Sequence, residues 1–378
     1  MILPKGWKEL RIKDIFEFKK GKKVKVIDET TESSIPYITI ENLRGEANRK
    51  FTNDNNGVMC IPNDLLLVWD GANCGTVGYG LSGFVGSTIT RLRKKNVSIL
   101  ESYAYKFLQS KFEYFNTHTT GTTIPHLEKN SVLNLKLPIL PIETQKKIVH
   151  ILEKVEKIEE WRKQSDKLTK DYLISVFLEM FGYPISNPFN WKLIKLSQVG
   201  SLARGKSKHR PRNAPELLGG DYPLIQTGDI ANCDGYIRNF TQTYSELGLR
   251  QSKLWPKGTL CITIAANIAL AGILTFDACF PDSVVGFTPK EMVRTEYVQY
   301  WLSFLQDMLE ATAPKSAQKN INLEILSHLN IPIPPIDLQD KFVSAVRKIR
   351  LINEAQKLSG EQINYLFNII IQKYFKVN

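Results

Sequence analysis

The run LPILPIETQKKIV, Leu137 to Val149, comes back 194 residues later as IPIPPIDLQDKFV, Ile331 to Val343. Each copy joins a proline-rich strip to the start of an amphipathic pattern. Proline cannot continue a helix and biases the residue before it to extended backbone, so each strip marks a boundary. Outward from these strips the chain keeps repeating in the same order. Trp7-Lys8 falls on Trp191-Lys192, and Gly21-Lys22 on Gly205-Lys206. With small insertions, Ile35-Pro36-Tyr37-Ile38 meets Tyr222-Pro223-Leu224-Ile225. PNDLLLVWDGAN, Pro62 to Asn73, meets PKGTLCITIAAN, Pro256 to Asn267. Tyr103 and Phe107-Leu108 meet Tyr297 and Trp301-Leu302. A shared order at a near-constant shift is an internal duplication. Its period of roughly 190 residues far exceeds the ~20–50 of solenoid repeats, so each half is a whole domain with an appendage.

Within each half, short runs rich in Ile, Val, Leu, Phe and Tyr are broken by Gly, Asn and Asp, which predicts strands. Ile35–Ile40, Leu65–Trp69, Leu224–Thr227 and Leu260–Ile264 are examples. Helical pieces are expected near Glu101–Phe115 and Thr295–Glu310, giving an α+β domain. After each strip comes a long helical pattern. In the first, apolar residues recur at Ile148, Ile151/Leu152, Val155, Ile158, Trp161, Leu168, Tyr172 and Val176. In the second they recur at Phe342, Ala345/Val346, Ile349, Ile352, Ala355, Leu366 and Ile369/Ile370. Steps of three and four with charged flanks predict a helix-pairing seam, polar in the middle at Ser165 and Ser359. One stripe cannot be buried by a lone helix, so two antiparallel coiled-coil helices in pseudo-two-fold relation are expected. The alternative is that each helix packs on its own domain. A helix of about 38 residues runs roughly 57 Å. The expected organisation is a first globular domain over 1–141 and a helical spacer over 142–183. A second globular domain follows over 184–335, and a second helical spacer over 336–378.

The chain has 378 residues, enough for two or three domains with sizeable cores, and 43% of them are hydrophobic. Its net charge of +12 favours polyanions, nucleic acid before acidic membranes. The five cysteines (Cys60, Cys74, Cys233, Cys261, Cys279) are dispersed and odd in number, with no C-x-x-C pair. That argues against a disulfide framework or a metal site and for a reducing cytoplasm. No apolar run approaches the roughly 20 residues needed to span a bilayer. MILPKGWKEL lacks the form of a signal peptide, so a soluble cytoplasmic protein is expected.

The motifs that carry chemistry are missing. Asn187-Pro188-Phe189-Asn190 superficially resembles an adenine-methyltransferase motif but lacks its second proline and any preceding Gly-rich loop; it reads as a linker turn. Pro281-Asp282 has no acid-x-Lys at useful spacing and reads as a turn as well. There is no G-x-x-x-x-G-K-[ST] phosphate loop, no H-E-x-x-H among the five histidines and no Gly-x-Ser-x-Gly. No catalytic residue, cofactor or metal is expected.

Basic clusters at matching places remain. Lys19, Lys20, Lys22, Lys23 and Lys25 surround Gly21; Arg204, Lys206, Lys208, His209, Arg210 and Arg212 surround Gly205. Cations beside a glycine on a loop suit phosphate oxygens, because the loop can approach closely and the charges release counterions. Each cluster alone reads as a solvated charge run; both at one repeat position point to nucleic acid. Two more loops are candidates: Thr119 to His126, with Thr122 and His126, and Pro314 to Asn320, with Lys315, Gln318, Lys319 and Asn320. Their hydroxyls and amides suit base edges or phosphates, or equally cap the strands they join. Arg91 and Arg93, with Lys94 and Lys95, add charge to the first half without a counterpart in the second.

Taken together, the doubled order of features resembles the specificity subunit of type I restriction-modification systems. The signals are Pro4-x-Gly6-Trp7 and Trp191 opening each half, and the strips LPILPIETQKKIV and IPIPPIDLQDKFV, similar to an L-P-x-P-x-x-E-Q pattern. The stretch Phe177 to Gly182 followed by Asn187-Pro188 and Trp191 is a further signal. One departure is Asp337 where Glu is usual. The resemblance implies two target recognition domains that each read one half of a bipartite, asymmetric sequence in double-stranded DNA. It implies helical regions that set the unread spacer and dock two modification subunits, which carry S-adenosylmethionine and methylate adenine. Restriction subunits, where present, supply ATP-driven translocation and cleavage. The contrasting expectation is a non-catalytic protein-interaction scaffold built on a paired-helix stalk.

Overall fold

The computed structural model describes residues 8–28, 30, 33–47, 50–121, 123–264, 269–312 and 322–375. The chain resolves into two compact units, one of residues 1–162 with 357–378 and the other of residues 163–356. The boundary cuts both long helices, Ile142–Phe181 and Ile336–Phe375, so each unit owns a half of each.

In the first unit the central sheet runs in the order Phe16–Lys20, Ile89–Lys94, Leu65–Val68, Val77–Gly78. Leu65 to Val68 are all buried, which is why this strand reads as a continuous apolar run rather than an alternation. A second four-stranded sheet orders Phe51–Thr52, Ile35–Ile38, Gly83–Val85 and Met59–Cys60. The second unit repeats the plan. Its main sheet orders Gly200–Arg204, Val284–Pro289, Leu260–Thr263 and Ala271–Leu274, with Tyr236–Ile237 added as a fifth, parallel strand. Its second sheet orders Gln242–Tyr244, Leu218–Leu224, Ala278–Cys279 and Leu254–Trp255.

Three local expectations are corrected. The strand expected over Ile35–Ile40 ends at Ile38, and a helix runs from Ile40 to Leu43. The strand expected over Leu224–Thr227 ends at Leu224; a helix begins at Thr227, where the Gln226 N–H donates to Asp229 at 2.7 Å. The single helix expected over Glu101–Phe115 is two, Glu101–Gln109 and Phe112–Thr117.

The repeat extends to individual hydrogen bonds. Lys8–Arg11 pairs antiparallel with Lys136–Ile139, and Lys192–Lys195 with Asn330–Ile333. The Tyr103 hydroxyl donates to the Pro138 carbonyl at 3.1 Å, and the Tyr297 hydroxyl to the Pro332 carbonyl at 2.7 Å. The glutamines of the two strips, Gln145 and Gln339, are wholly buried. Gln145 accepts from the Leu100 N–H at 2.8 Å and donates to the Leu140 carbonyl at 2.7 Å. Gln339 accepts from the Arg294 N–H at 2.9 Å and donates to the Pro334 carbonyl at 3.0 Å. A buried amide must satisfy both donor and acceptor, so each glutamine rivets a long helix to its globular domain. By contrast Glu143 and Asp337 are exposed in the first helical turn, where either acid complements the helix dipole. The departure at Asp337 therefore costs nothing visible.

Both long helices end on a phenylalanine, 194 residues apart. Phe181 enters the core of the second unit, 4.9 Å from the Tyr297 ring, and Phe375 enters that of the first, 5.3 Å from Tyr103. Each repeat thus lends the end of its helix to the other unit's core. Gly182, at φ +76°, stops the first helix in the left-handed conformation that glycine tolerates best.

The helices pair, but along a line narrower than the expected seam. Leu152, Val155, Leu173, Phe177, Phe342 and Val346 are buried, whereas Trp161, Leu168, Tyr172, Ile352 and Leu366 lie largely in solvent. The reason is chemical. Facing positions in the middle are polar or small. Arg162 donates to the Ser359 hydroxyl at 3.0 Å, and Gln356 to the Ser165 hydroxyl at 3.3 Å. Gly360 is buried where a Cβ would stand 2.5 Å from the Arg162 guanidinium. These side chains bring the helices together without using the large residues of the stripe. Trp161 of the stripe is left 57% exposed, and Leu358 and Tyr365, outside the stripe, are 64% and 69% exposed.

Candidate nucleic-acid interface

Each basic cluster starts at the end of an edge strand of a main sheet, at the two equivalent glycines. The Gly21 N–H donates to the Ile89 carbonyl at 2.8 Å, and the Gly205 N–H to the Val284 carbonyl at 2.9 Å. A Cβ on Gly21 would lie 2.2 Å from the Gly86 carbonyl oxygen; one on Gly205 would lie 2.3 Å from that of Phe280. Backbone cannot yield as a flexible side chain can, so only glycine lets the strand cross here. Each glycine thus has a packing role inside its domain, at the root of the basic loop.

In the first unit, Lys19 and Lys20 end the strand Phe16–Lys20, opposite Arg91 and Thr90. Beyond Gly21, Val24 is buried against Tyr37 and Phe84, which turns its neighbours Lys23 and Lys25 outward. Lys22 Nζ lies 3.5 Å from Asn56 Oδ1. Lys20 meets a carboxylate outside the expected set: its Nζ is 2.7 Å from Asp70 Oδ2. His126 Nδ1 is 2.7 Å from Asp70 Oδ1. Burial opposes the charge on Asp70, but the hydrogen bonds from Lys20 and His126 outweigh it and hold the carboxyl below its ordinary range. The hairpin Thr119–Thr120/His126–Leu127 carries His126, and it is seated by the Gly71 N–H donating to the Pro125 carbonyl at 2.8 Å. Arg44 donates to Asn73 in the same loop.

Arg91 and Arg93 are spent internally. Arg91 is buried, with Nη1 donating to the Met59 carbonyl at 2.8 Å. Arg93 forks onto the buried Asp64 at 2.8 and 2.6 Å. A guanidinium held this way braces neighbouring strands and has no free fork for a phosphate.

In the second unit, Gln251 and Ser252 hold the loop backbone. Gln251 Oε1 accepts from the N–H groups of Lys208 and His209 at 2.6 and 3.1 Å, and the Ser252 hydroxyl donates to the Lys206 carbonyl at 2.9 Å. The side chains of Lys206 and Lys208 stay exposed. Asp282 gathers the arginines. Arg212 reaches its carboxylate at 2.6 Å and Arg210 at 3.7 Å, while Arg204 Nε donates to its carbonyl at 3.0 Å. Asp282 does sit in a turn, as its sequence suggests, and there it becomes the hub of the cluster.

Thr122 and the whole set Lys315, Gln318, Lys319 and Asn320 lie outside the described residues. Asp70, Asp282 and Gln251 were not among the residues expected from the sequence. Asp70 did leave a trace: it stands where the aligned position of the second half is Ile264, a charge replacing a core residue. Among the described residues no group of His, Cys, Asp and Glu is arranged to hold a metal ion, and no helix is long and apolar enough to cross a membrane.

The family described as the type I restriction modification DNA specificity domain matches twice, over residues 4–170 and 188–365. The chain belongs to this family. The specificity subunit of the type I restriction enzyme MjaVIII of Methanocaldococcus jannaschii is 32% identical, the match covering 96% of this chain and 90% of that protein. The specificity subunit of the type I restriction enzyme EcoBI of Escherichia coli is 21% identical, over 91% and 80%. Among solved structures, the specificity subunit of the type I system of M. genitalium superposes with a TM-score of 0.64 at 18% identity. That match covers all of this chain and 99% of the other, and shows the shared fold. The two matched segments of this type I specificity chain coincide with the two arms of its repeat, each holding one glycine-anchored basic cluster.

Proposed function

We propose that this chain is the targeting subunit of a type I restriction-modification enzyme, recognising a bipartite, asymmetric sequence in double-stranded DNA. It performs no chemistry itself. It directs modification subunits, and restriction subunits where they exist, to the target. Residues 1–141 and 184–335 act as the two target recognition domains, and the helical regions 142–183 and 336–378 as the spacer between them. The observation that carries this reading is the basic cluster following an equivalent, sterically required glycine in both copies of one fold.

Lys19, Lys20, Lys22, Lys23 and Lys25 serve the first half-site; Arg204, Lys206, Lys208, Arg210 and Arg212 serve the second. Most of their contacts fall on phosphates and set register, because cationic side chains on phosphates neutralise charge without reading sequence. Because the carboxylates that organise the two clusters differ, the two half-sites differ. The large apolar residues that each long helix leaves exposed, Trp161, Leu168 and Tyr172 on the first and Leu351, Leu358 and Tyr365 on the second, support a docking role for the helices, with two modification subunits as occupants. Action on DNA places the protein in the cytoplasm.

Sequencing the methylated bases of host DNA, with and without this gene, tests the proposal. A single bipartite motif with a fixed unread spacer should vanish when the gene is deleted. Loss of no motif, or of an uninterrupted one, would overturn it.

A further inference from the structure

The group formed by Lys20, Asp70 and His126 has a construction that simple charge neutralisation does not need. A lysine that only meets phosphates works best free; here a partly buried carboxylate holds it at 2.7 Å and holds an imidazole at 2.7 Å on its other oxygen. Three separate segments meet: the end of the strand Phe16–Lys20, the loop after Leu65–Val68, and the hairpin that carries His126. The backbone reinforces the junction, since Asp70 and His126 form a β-bridge and Leu127 donates to the Trp69 carbonyl at 2.9 Å. With Nδ1 committed to Asp70, the ring orientation of His126 is set. Its Nε2 makes no hydrogen bond to a described residue, and the ring is about half exposed. Lys20 keeps donors beyond the one given to Asp70.

We propose that Asp70 is a positioning residue for base reading in the first half-site. It fixes Lys20 and His126 as an oriented pair aimed at base edges in the major groove. Guanine is the base that Lys20 selects, because its N7 and O6 place two acceptors side by side there. This rests on the reading that the first unit contacts DNA. It goes further in separating the lysines around Gly21 into one reader, Lys20, and free phosphate contacts, Lys19, Lys23 and Lys25. At the equivalent position of the second half the buried Ile264 stands in place of Asp70. The Asp282 of that half comes from a different part of the fold.

The experiment uses the chain assembled with its modification subunits. The complex selects from duplexes randomised across the target, and bound sequences are counted for wild type, Asp70→Asn, His126→Gln, Lys20→Met and Lys23→Ala. Asp70→Asn, His126→Gln and Lys20→Met should each reduce preference for one guanine position, and its immediate neighbour, at least tenfold. That loss should be confined to one half-site, with the other half and the spacer unchanged. Lys23→Ala should weaken binding to all sequences alike. Uniform weakening by Asp70→Asn with guanine preference intact would overturn the proposal, making the group a phosphate contact. Equal blurring of both halves by all three variants would also overturn it, making the group merely structural. If the wild-type complex selects no sequence, the underlying DNA-targeting reading fails instead, a result distinct from either.

Discussion

The two basic clusters occupy one position in the repeat and are built on one glycine, yet different carboxylates hold them. In the first unit Asp70, from the loop after a central strand, holds a lysine and a histidine. In the second, Asp282, from a turn leading into another strand, gathers arginines. The scaffold that presents the clusters is common down to single hydrogen bonds, while the groups that would meet DNA have diverged. Duplication kept what the core requires and released what the core does not see.

If the scaffold is shared, matched core changes must cost alike. Phe181→Ala and Phe375→Ala each remove an aromatic ring from a packed core and should each lower stability by about 3–5 kcal/mol, as measured by denaturant unfolding. A large loss in one and none in the other would break the equivalence. Gly21→Ala and Gly205→Ala come next. Each places a Cβ against a backbone carbonyl and should cost about 1–3 kcal/mol in its own unit, read by hydrogen exchange.

Removing cations tests the divergent layer. Replacing Lys19, Lys22 and Lys23 by Ala should flatten the dependence of log affinity on log salt by about 0.9 for each phosphate no longer neutralised. The same count removed from the second cluster should do likewise. Asp282→Asn should instead alter discrimination in the second half-site alone, with fold and salt slope nearly unchanged. The smallest effect concerns how the second helix is tied to its domain. Arg350 and Arg238 hold the Glu354 carboxyl below its ordinary range. A depressed carboxyl contributes stability above its unfolded pKa of about 4.3, and loses it as pH falls through the lower folded value. Glu354→Gln should therefore cost a little at neutral pH and nothing in strong acid, where both proteins carry a neutral group.

Much of this was legible in the sequence, because repeated core positions leave repeated letters. Tyr103 and Tyr297, Gln145 and Gln339, and Gly21 and Gly205 all match, and each pair makes corresponding contacts. The helix seam was legible only in part. Periodicity reports which residues share a face, but not which strip of a broad face meets its partner: Ser165 and Ser359 lie between the helices as expected, joined there by Arg162, Gln356 and Gly360, while Trp161 and Leu168 stay exposed. The site was the least legible. Arg91 and Arg93 looked like free charge, but Met59 and Asp64, which occupy them, lie about thirty residues away in sequence. Asp70 and Asp282 looked incidental for the same reason: their partners come from distant segments.

The central claim is that two reading domains are held at a spacing set by the paired helices, and changing the length of both helices tests it most directly. One heptad inserted after Arg162 and one after Gln356 lengthens each helix by about 10 Å while nearly preserving its faces. Methylation mapping should then find both half-sites unchanged and the unread spacer longer by about three base pairs, at the ~3.4 Å that each base pair adds along the duplex. An unchanged spacer with full activity would contradict the claim.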